Sequence, residues 1–313
     1  MPLHPQAKSF LQRMAAESGG VQRPLSAVEA RVSLRALLGA GGRDVAPGTV
    51  TDFTIPGSDG QPMPARAYRP ASAERLPVLI FLHGGGWIAG DLVSHDPLCR
   101  ELMLASGCVI VSIEYRLAPE HKFPAAPMDC YSALQWVVDH GAEYGWDWTR
   151  VAIGGDSAGG NLAAAVTQLA RDHRGPRLAF QLLVYPVTDH AFETPSYRQF
   201  ADGYLLTREA MISHWRDYLP DADAGRNPLA SPLRAENLEG LPPALVITAE
   251  YDPLRDEGER YAQRLRDAGV EVELKRYDGM LHAFFSLGSF FDQGREAVAH
   301  AAAAVRRALA AHS

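Results

Sequence analysis

The stretch Val151-Ala-Ile-Gly-Gly-Asp-Ser-Ala-Gly-Gly-Asn161 decides the fold of this chain. Its first four residues are apolar or small and predict a short buried strand. The strong helix former Asn161-Leu-Ala-Ala-Ala-Val-Thr-Gln-Leu-Ala170 follows. Between them, Gly155-Asp-Ser-Ala-Gly159 predicts a sharp turn that lifts the Ser157 hydroxyl clear of the sheet. Glycines two positions before and after the serine leave the room that such a turn needs.

The pentapeptide alone also occurs in ordinary loops, so a catalytic Ser157 requires partners. A serine hydroxyl is a poor nucleophile until a base takes its proton and a third group orients that base. In a doubly wound sheet, such groups follow the carboxyl ends of strands. Asp252 and His282 each follow a predicted strand, in the chain order that this architecture requires.

Alternatives remain for the acid. Asp252 precedes Pro253, and this pair is also typical of a helix N-terminus. Glu250 and Asp256 are possible substitutes. For the base, His282 is the one of 11 histidines that combines a strand-end position with the expected order.

A glycine-rich loop, His83-Gly-Gly-Gly-Trp87, follows the predicted strand 78–82. Consecutive glycines let backbone N–H groups turn inward, where they and the Ala158 N–H would stabilise an oxyanion. A flexible loop and a phosphate cradle are the alternatives. The phosphate cradle is disfavoured because the chain has no Gly-Lys-Ser/Thr and no spaced Gly-x-Gly-x-x-Gly. We interpret His83 as a residue that organises this loop.

Strand and helix patterns alternate along most of the chain, which predicts an α/β fold with a mostly parallel eight-stranded sheet flanked by helices. The predicted strands are residues 50–55, 65–69, 78–82, 108–114, 151–154, 180–185, 244–249 and 271–277. The predicted helices are residues 7–17, 26–38, 94–105, 126–140, 161–171, 208–218, 254–268 and 293–311.

Two segments interrupt this alternation, and we interpret both as a helical cap over the site. They are the N-terminal segment 1–45 and an insertion at 188–241, which is too long for an idle loop. Residues 46–187 and 242–313 would then form one catalytic domain. Decorative helices elsewhere on the surface are the alternative.

Composition narrows the partners. The 313 residues carry a formal charge of −7 with no Lys/Arg cluster, which argues against nucleic acid. No apolar run is long enough to span a bilayer, so we expect no stable membrane association. The three cysteines form no Cys-x-x-Cys, and we expect no signal peptide, which favours a cytoplasmic location. We expect no metal and no cofactor, and either a monomer or a homodimer.

Together, five blocks closely resemble the hormone-sensitive-lipase-like family of α/β-hydrolase esterases, best populated by bacterial carboxylesterases. The blocks are His83-Gly-Gly-Gly-Trp87, Glu114-Tyr-Arg-Leu-Ala-Pro-Glu120, Gly155-Asp-Ser-Ala-Gly-Gly-Asn161, Asp252-Pro-Leu-Arg-Asp256 and His282. The resemblance runs from about Val50 to the C-terminus. It implies that Ser157 is the nucleophile, His282 the base and Asp252 its orienting acid. It also implies that the N–H groups of Gly85, Gly86 and Ala158 form the oxyanion hole.

The resemblance predicts a serine carboxylesterase that cleaves short- to medium-chain esters. An amidase or deacetylase, a peptidase with the same triad and a non-catalytic receptor are the alternatives; the presence of His282 disfavours the receptor. Large apolar side chains near the site would exclude water from an acyl chain, and core packing is the alternative role for each of them. They are Trp87, Phe200, Tyr204, Leu205, Met211, Trp215, Phe284 and Phe285.

Overall fold

The computed structural model describes residues 2–17, 25–40, 48–72 and 74–310, which form a central sheet between two layers of helices. The strands are β1 Thr49–Pro56, β2 Pro62–Arg69, β3 Leu76–Leu82, β4 Val109–Ile113, β5 Trp146–Asp156, β6 Phe180–Val184, β7 Ala244–Tyr251 and β8 Val272–Leu281. The helices are α1 Pro5–Glu17, α2 Ala27–Ala40, α3 Asp96–Ser106, α4 Ala125–His140, α5 Ala158–Asp172, α6 Pro195–Gln199, α7 Arg208–Tyr218, α8 Arg255–Asp267 and α9 Asp292–Ala310.

The sheet has the order β1-β2-β4-β3-β5-β6-β7-β8. β2 pairs antiparallel with β1 and β4, and every other neighbouring pair is parallel. The predicted eight-stranded, mostly parallel α/β sheet is therefore confirmed. The eight predicted helices are also present, and α6 is a short addition.

Strand β5 is longer than the predicted 151–154. Trp146 and Asp147 pair with Leu76 and Pro77 of β3, across a register shift between Pro77 and Val78. Residues 148–150 follow and are exposed or half-buried, so no run of buried apolar residues marks this half of the strand. β8 likewise continues beyond the predicted end at residue 277.

The two faces of the sheet carry separate cores because successive strand residues point to opposite sides. Ile80 of β3 packs in the core that includes buried residues of α4, α5 and α8. Leu79 and Phe81 pack in the other core, with residues of α3 and α9. Helices thus cover both faces, as the continuously apolar strands require.

Strand register brings the predicted functional loops to one edge. Leu82, the last residue of β3, pairs with Gly155 of β5, so the glycine loop and Ser157 leave the sheet side by side. Tyr251 of β7 pairs with Leu281, the last residue of β8. The residues that follow these two strands are Asp252 and His282.

Two additional segments contact the loop that follows β3. In the insertion, the Tyr218 ring at the end of α7 stacks on Trp87 with centroids 4.2 Å apart. From the N-terminal segment, Arg31 of α2 donates hydrogen bonds to the carbonyl oxygens of Ile88 and Ala118. The predicted segment boundary at residue 45 lies outside the described residues. Within those residues, no helix has both the length and the apolar character needed to cross a membrane.

The contact between α5 and β3 yields a stability prediction. A Cβ added at Gly159 would lie 1.9 Å from the backbone oxygen of Leu82. We expect Gly159→Ala to lower the free energy of unfolding by roughly 3 kcal/mol, because helix and strand must separate. The measurement is the urea midpoint.

Gly39→Ala is the matched control, because an added Cβ there meets no atom within 4 Å. In helix α2 this change should leave stability equal or higher. An unchanged urea midpoint for Gly159→Ala would show that helix α5 and strand β3 leave room for a side chain at residue 159.

Candidate active site

Ser157 lies in a strained turn between β5 and α5. Its backbone has φ 58° and ψ −117°, outside the regions that non-glycine residues normally adopt. Three backbone hydrogen bonds hold this turn. The Ser157 N–H donates to Val184 O at 2.8 Å, and Ser157 O accepts from the N–H groups of Asn161 and Val187 at 3.1 and 3.3 Å. A Cβ at Gly155 would lie 2.4 Å from Leu82 O, so a side chain is excluded there. The sharp turn predicted from the sequence is confirmed.

The three predicted partners meet in one hydrogen-bonded chain. His282 Nε2 lies 3.0 Å from Ser157 Oγ, and His282 Nδ1 lies 2.7 Å from Asp252 Oδ2. Asp252 is fully buried, and 7% of His282 and 9% of Ser157 are exposed. The acid is therefore shielded from water while the serine stays open at one side.

Neither alternative acid contacts the imidazole. The Asp256 carboxylate accepts a hydrogen bond from the Ser196 N–H, and Glu250 accepts one from the Gly279 N–H. Asp252 also has a local role, since its Oδ1 accepts a hydrogen bond from the Leu254 N–H at 2.9 Å. The same carboxylate thus orients His282 and fixes the turn before α8.

The glycine loop presents free amides beside the serine. Gly85 has φ +124° and Gly86 has φ +61°, and a Cβ at Gly85 would lie 2.3 Å from Ala89 O. Within the described residues, neither N–H donates to a protein acceptor. Ala158 is the first residue of α5, where N–H groups have no intrahelical partner. These three amides are able to stabilise an anion at Ser157.

Comparisons with known proteins show the family of this chain. A family model described as the alpha/beta hydrolase fold matches residues 79–286. The chain belongs to the α/β-hydrolase family. Its similarity to carboxylesterases and other esterases also confirms the predicted hormone-sensitive-lipase-like branch.

Three relatives illustrate the similarity. The carboxylic ester hydrolase LipN of Mycobacterium tuberculosis is 48% identical over 244 residues, which cover 76% of this chain and 65% of LipN. The ethyl acetate hydrolase of Pseudomonas putida is 36% identical, over 99% of this chain and 100% of that protein. The crystal structure of a thermostable esterase from Pseudomonas putida ECU1011 has a TM-score of 0.93 and 42% identity, with 98% of each chain covered.

Asp156 joins the hydrolase's glycine loop to the serine turn. Its Oδ1 accepts a hydrogen bond from the Gly84 N–H at 2.9 Å and lies 3.3 Å from His95 Nε2. Its Oδ2 accepts one from the Ser286 hydroxyl at 3.3 Å. Burial opposes ionisation, but His95 and the Gly84 N–H outweigh it and lower the pKa of Asp156. A buried anion therefore holds Gly84, and with it the start of the loop that carries the next two amides.

His83 packs beneath this loop, as predicted from the sequence. Its Nδ1 lies 2.9 Å from Gly84 O, and Tyr115 donates a hydrogen bond to His83 O and stacks on its ring. Burial lowers the pKa of His83 to about 4, so the ring is neutral at neutral pH.

Three further residues contact the site and were not identified from the sequence. The Tyr185 ring packs against His282 with centroids 4.5 Å apart. His95 lies at the N-terminus of α3, and His214 lies in α7 beside Gly86. Neither histidine follows a strand, so chain order gave no signal. Asp156 stands in the quoted motif, but its contact with His95 spans 61 residues.

The predicted pocket residues occupy both sides of the sheet. Trp87, Met211 and Trp215 belong to the core that contains α4, whereas Phe284 and Phe285 belong to the core that contains α9. Phe200 is also buried. Tyr204 and Leu205 are half-buried, and Leu205 has φ +72°. Contact of these side chains with an acyl group stays a prediction.

Glu257 of α8 is another buried carboxyl group, in addition to Asp156 and Asp252. Its Oε1 accepts hydrogen bonds from the backbone N–H groups of Thr188 and Asp189, at 2.7 and 3.3 Å. Its Oε2 is buried without a partner among the described residues. Burial raises the pKa of Glu257 well above its usual value, and the carboxylates of Asp189 and Asp252 add to this effect.

The hydrogen bond from the Gly84 N–H to Asp156 leads to a kinetic prediction. We expect Asp156→Ala to lower kcat about 10-fold with little change in KM, because the loop amides lose their support without losing their donors. Asp156→Asn keeps an acceptor for the Gly84 N–H and should lose less. Equal kcat for wild type and Asp156→Ala would remove the positioning role.

Glu257 gives a prediction about pH. A carboxyl group whose pKa is raised by folding binds its proton more tightly in the folded protein. The folded state therefore loses stability as pH rises from the pKa of an unfolded glutamate, roughly 4.3, toward the raised pKa. Glu257→Gln keeps an acceptor without titrating. We expect its melting temperature relative to wild type to rise by about 2 °C between pH 5 and pH 8. A pH-independent difference would argue against a protonated Glu257.

Proposed function

We propose that this protein is a serine carboxylesterase that hydrolyses short- to medium-chain carboxylic esters through an acyl-enzyme. The continuous hydrogen-bonded chain from Ser157 through His282 to Asp252 carries this proposal. The similarity to proteins named carboxylic ester hydrolase and ethyl acetate hydrolase supports an ester substrate. Nothing in the site favours an amide or a peptide over an ester.

In the first half of the reaction, Ser157 attacks the ester carbonyl while His282 Nε2 accepts the hydroxyl proton. Asp252 keeps Nε2 directed at the serine and stabilises the imidazolium that forms. The N–H groups of Gly85, Gly86 and Ala158 hold the developing oxyanion. His282 then returns the proton to the departing alcohol, and the acyl group stays on Ser157.

In the second half, a water molecule takes the place of the alcohol. His282 accepts a proton from this water as it attacks the acyl-enzyme, and the same amides stabilise the second oxyanion. Proton return to Ser157 Oγ releases the carboxylic acid. The cycle consumes one water and needs no group beyond the side chains and amides of this chain.

The cap would determine which esters enter. We assign the cap role to segments 1–45 and 188–241 because α2 and α7 both contact the loop that follows β3. The apolar residues predicted for the pocket would bind the acyl chain there. Most of them are buried, so they leave little open apolar surface for a long acyl chain, and this favours a small acyl group. We also propose a cytoplasmic location, since the three cysteines are buried free thiols.

The direct test is Ser157→Ala assayed with butyrate and palmitate esters of 4-nitrophenol. We expect wild type to favour the butyrate ester and Ser157→Ala to lose several orders of magnitude in kcat, because the acyl acceptor is gone. A circular dichroism melt checks that the variant remains folded. Near-normal butyrate hydrolysis by folded Ser157→Ala would refute the proposal, and a strict preference for palmitate would refute its substrate class.

A further inference from the structure

His214 of α7 lies against the candidate oxyanion loop. A Cβ added at Gly86 would lie 2.6 Å from His214 Nδ1 and 2.7 Å from its Cγ, so the imidazole fits there because residue 86 has no side chain. The residue is half-buried, so part of it remains accessible to solvent. The ring is thus a wall of the space in which the carbonyl would bind.

Among the described residues, no protein group forms a hydrogen bond with this ring. Nδ1 is buried and has no hydrogen-bond partner among the described residues. Buried polar side-chain atoms are normally paired, and an imidazole that only fills space costs more than an apolar ring would. Nε2 is not among the buried atoms and also has no protein partner in the described part of the chain, so it is the nitrogen that a bound molecule can reach. An unpaired, reachable nitrogen beside the glycine loop points to a polar group on that molecule.

His214 remains neutral under ordinary conditions. Burial lowers its pKa to about 4, and the charge of His282 adds to the effect. A neutral imidazole offers one N–H donor and one acceptor, whichever nitrogen carries the proton. It therefore suits an uncharged group that both donates and accepts, and it provides no charge for a carboxylate.

We propose that His214 hydrogen-bonds a hydroxyl group carried by the ester close to its carbonyl, so that hydroxylated esters are preferred substrates. This rests on the proposed esterase function and on the assignment of Gly86 as an oxyanion donor. A carbonyl oxygen bound at Gly86 places substituents one or two bonds away within reach of the ring beside it. His214 is a specificity residue in this scheme and takes no part in proton transfer to Ser157.

The hydroxyl could stand on either half of the ester, and matched pairs separate the two. Ethyl lactate and ethyl isobutyrate differ by hydroxyl against methyl on the acyl side. 2-Hydroxyethyl acetate and propyl acetate differ in the same way on the alcohol side. Each ratio of kcat/KM is divided by the ratio for hydroxide-catalysed hydrolysis, which removes intrinsic reactivity.

We expect wild type to show a corrected ratio of about 10 for at least one pair, the size of one hydrogen bond to substrate. His214→Phe keeps a ring and removes both nitrogens, so its ratio should fall to about 1. His214→Leu is the second apolar variant if His214→Phe does not fold. Glu209→Gln, on the exposed surface of α7, should keep the wild-type ratio.

The outcomes are distinct. A wild-type ratio near 1 for both pairs overturns the inference, and so does a ratio that stays at the wild-type value in a folded apolar variant. Absence of Ser157-dependent hydrolysis of all four esters would instead overturn the proposed function, and the inference with it. A high ratio for one pair alone assigns the hydroxyl to that half of the ester.

Discussion

The site depends on the register of parallel strands. Gly155 pairs with Leu82, and Tyr251 pairs with Leu281, so four loops leave the sheet at matched heights. Because a one-residue slip would reverse every side chain of a strand, the two buried cores fix this register firmly. The hydrogen bonds of 2.7 and 3.0 Å at His282 follow from backbone pairing set by residues that take no part in chemistry.

Close packing and buried charge complete what register begins. At Gly159 the backbone of α5 approaches Leu82 O at a distance that no side chain allows, which places the helix N-terminus directly at the serine. Asp156 then ties the glycine loop to this turn. An unpaired buried carboxylate would be costly, so the hydrogen bonds to Asp156 both keep it ionised and hold the loop in place. Stability and positioning of the oxyanion donors are therefore coupled in this hydrolase.

The sequence predicted the eight strands, the eight long helices and the convergence of Ser157, Asp252 and His282, because these follow from local patterns and from one topological rule. What it missed depends on contacts between distant segments. The first half of β5 has no run of buried apolar residues, since only Trp146 and Asp147 pair there with β3 and residues 148–150 are exposed or half-buried. His95, His214 and Glu257 are placed by the packing of α3, α7 and α8, and hydrophobic periodicity does not predict where a helix packs. The lining of the pocket has the same origin, because an apolar residue of α7 reads alike whether it meets substrate or core.

The most direct test of the central claim is labelling with an organophosphonate ester, which reacts only with a serine activated by a neighbouring base. Intact-mass and peptide mapping should find one adduct, on Ser157, and His282→Ala should label at least 100-fold more slowly. An adduct on another residue, or equal labelling rates for the two proteins, would contradict the account.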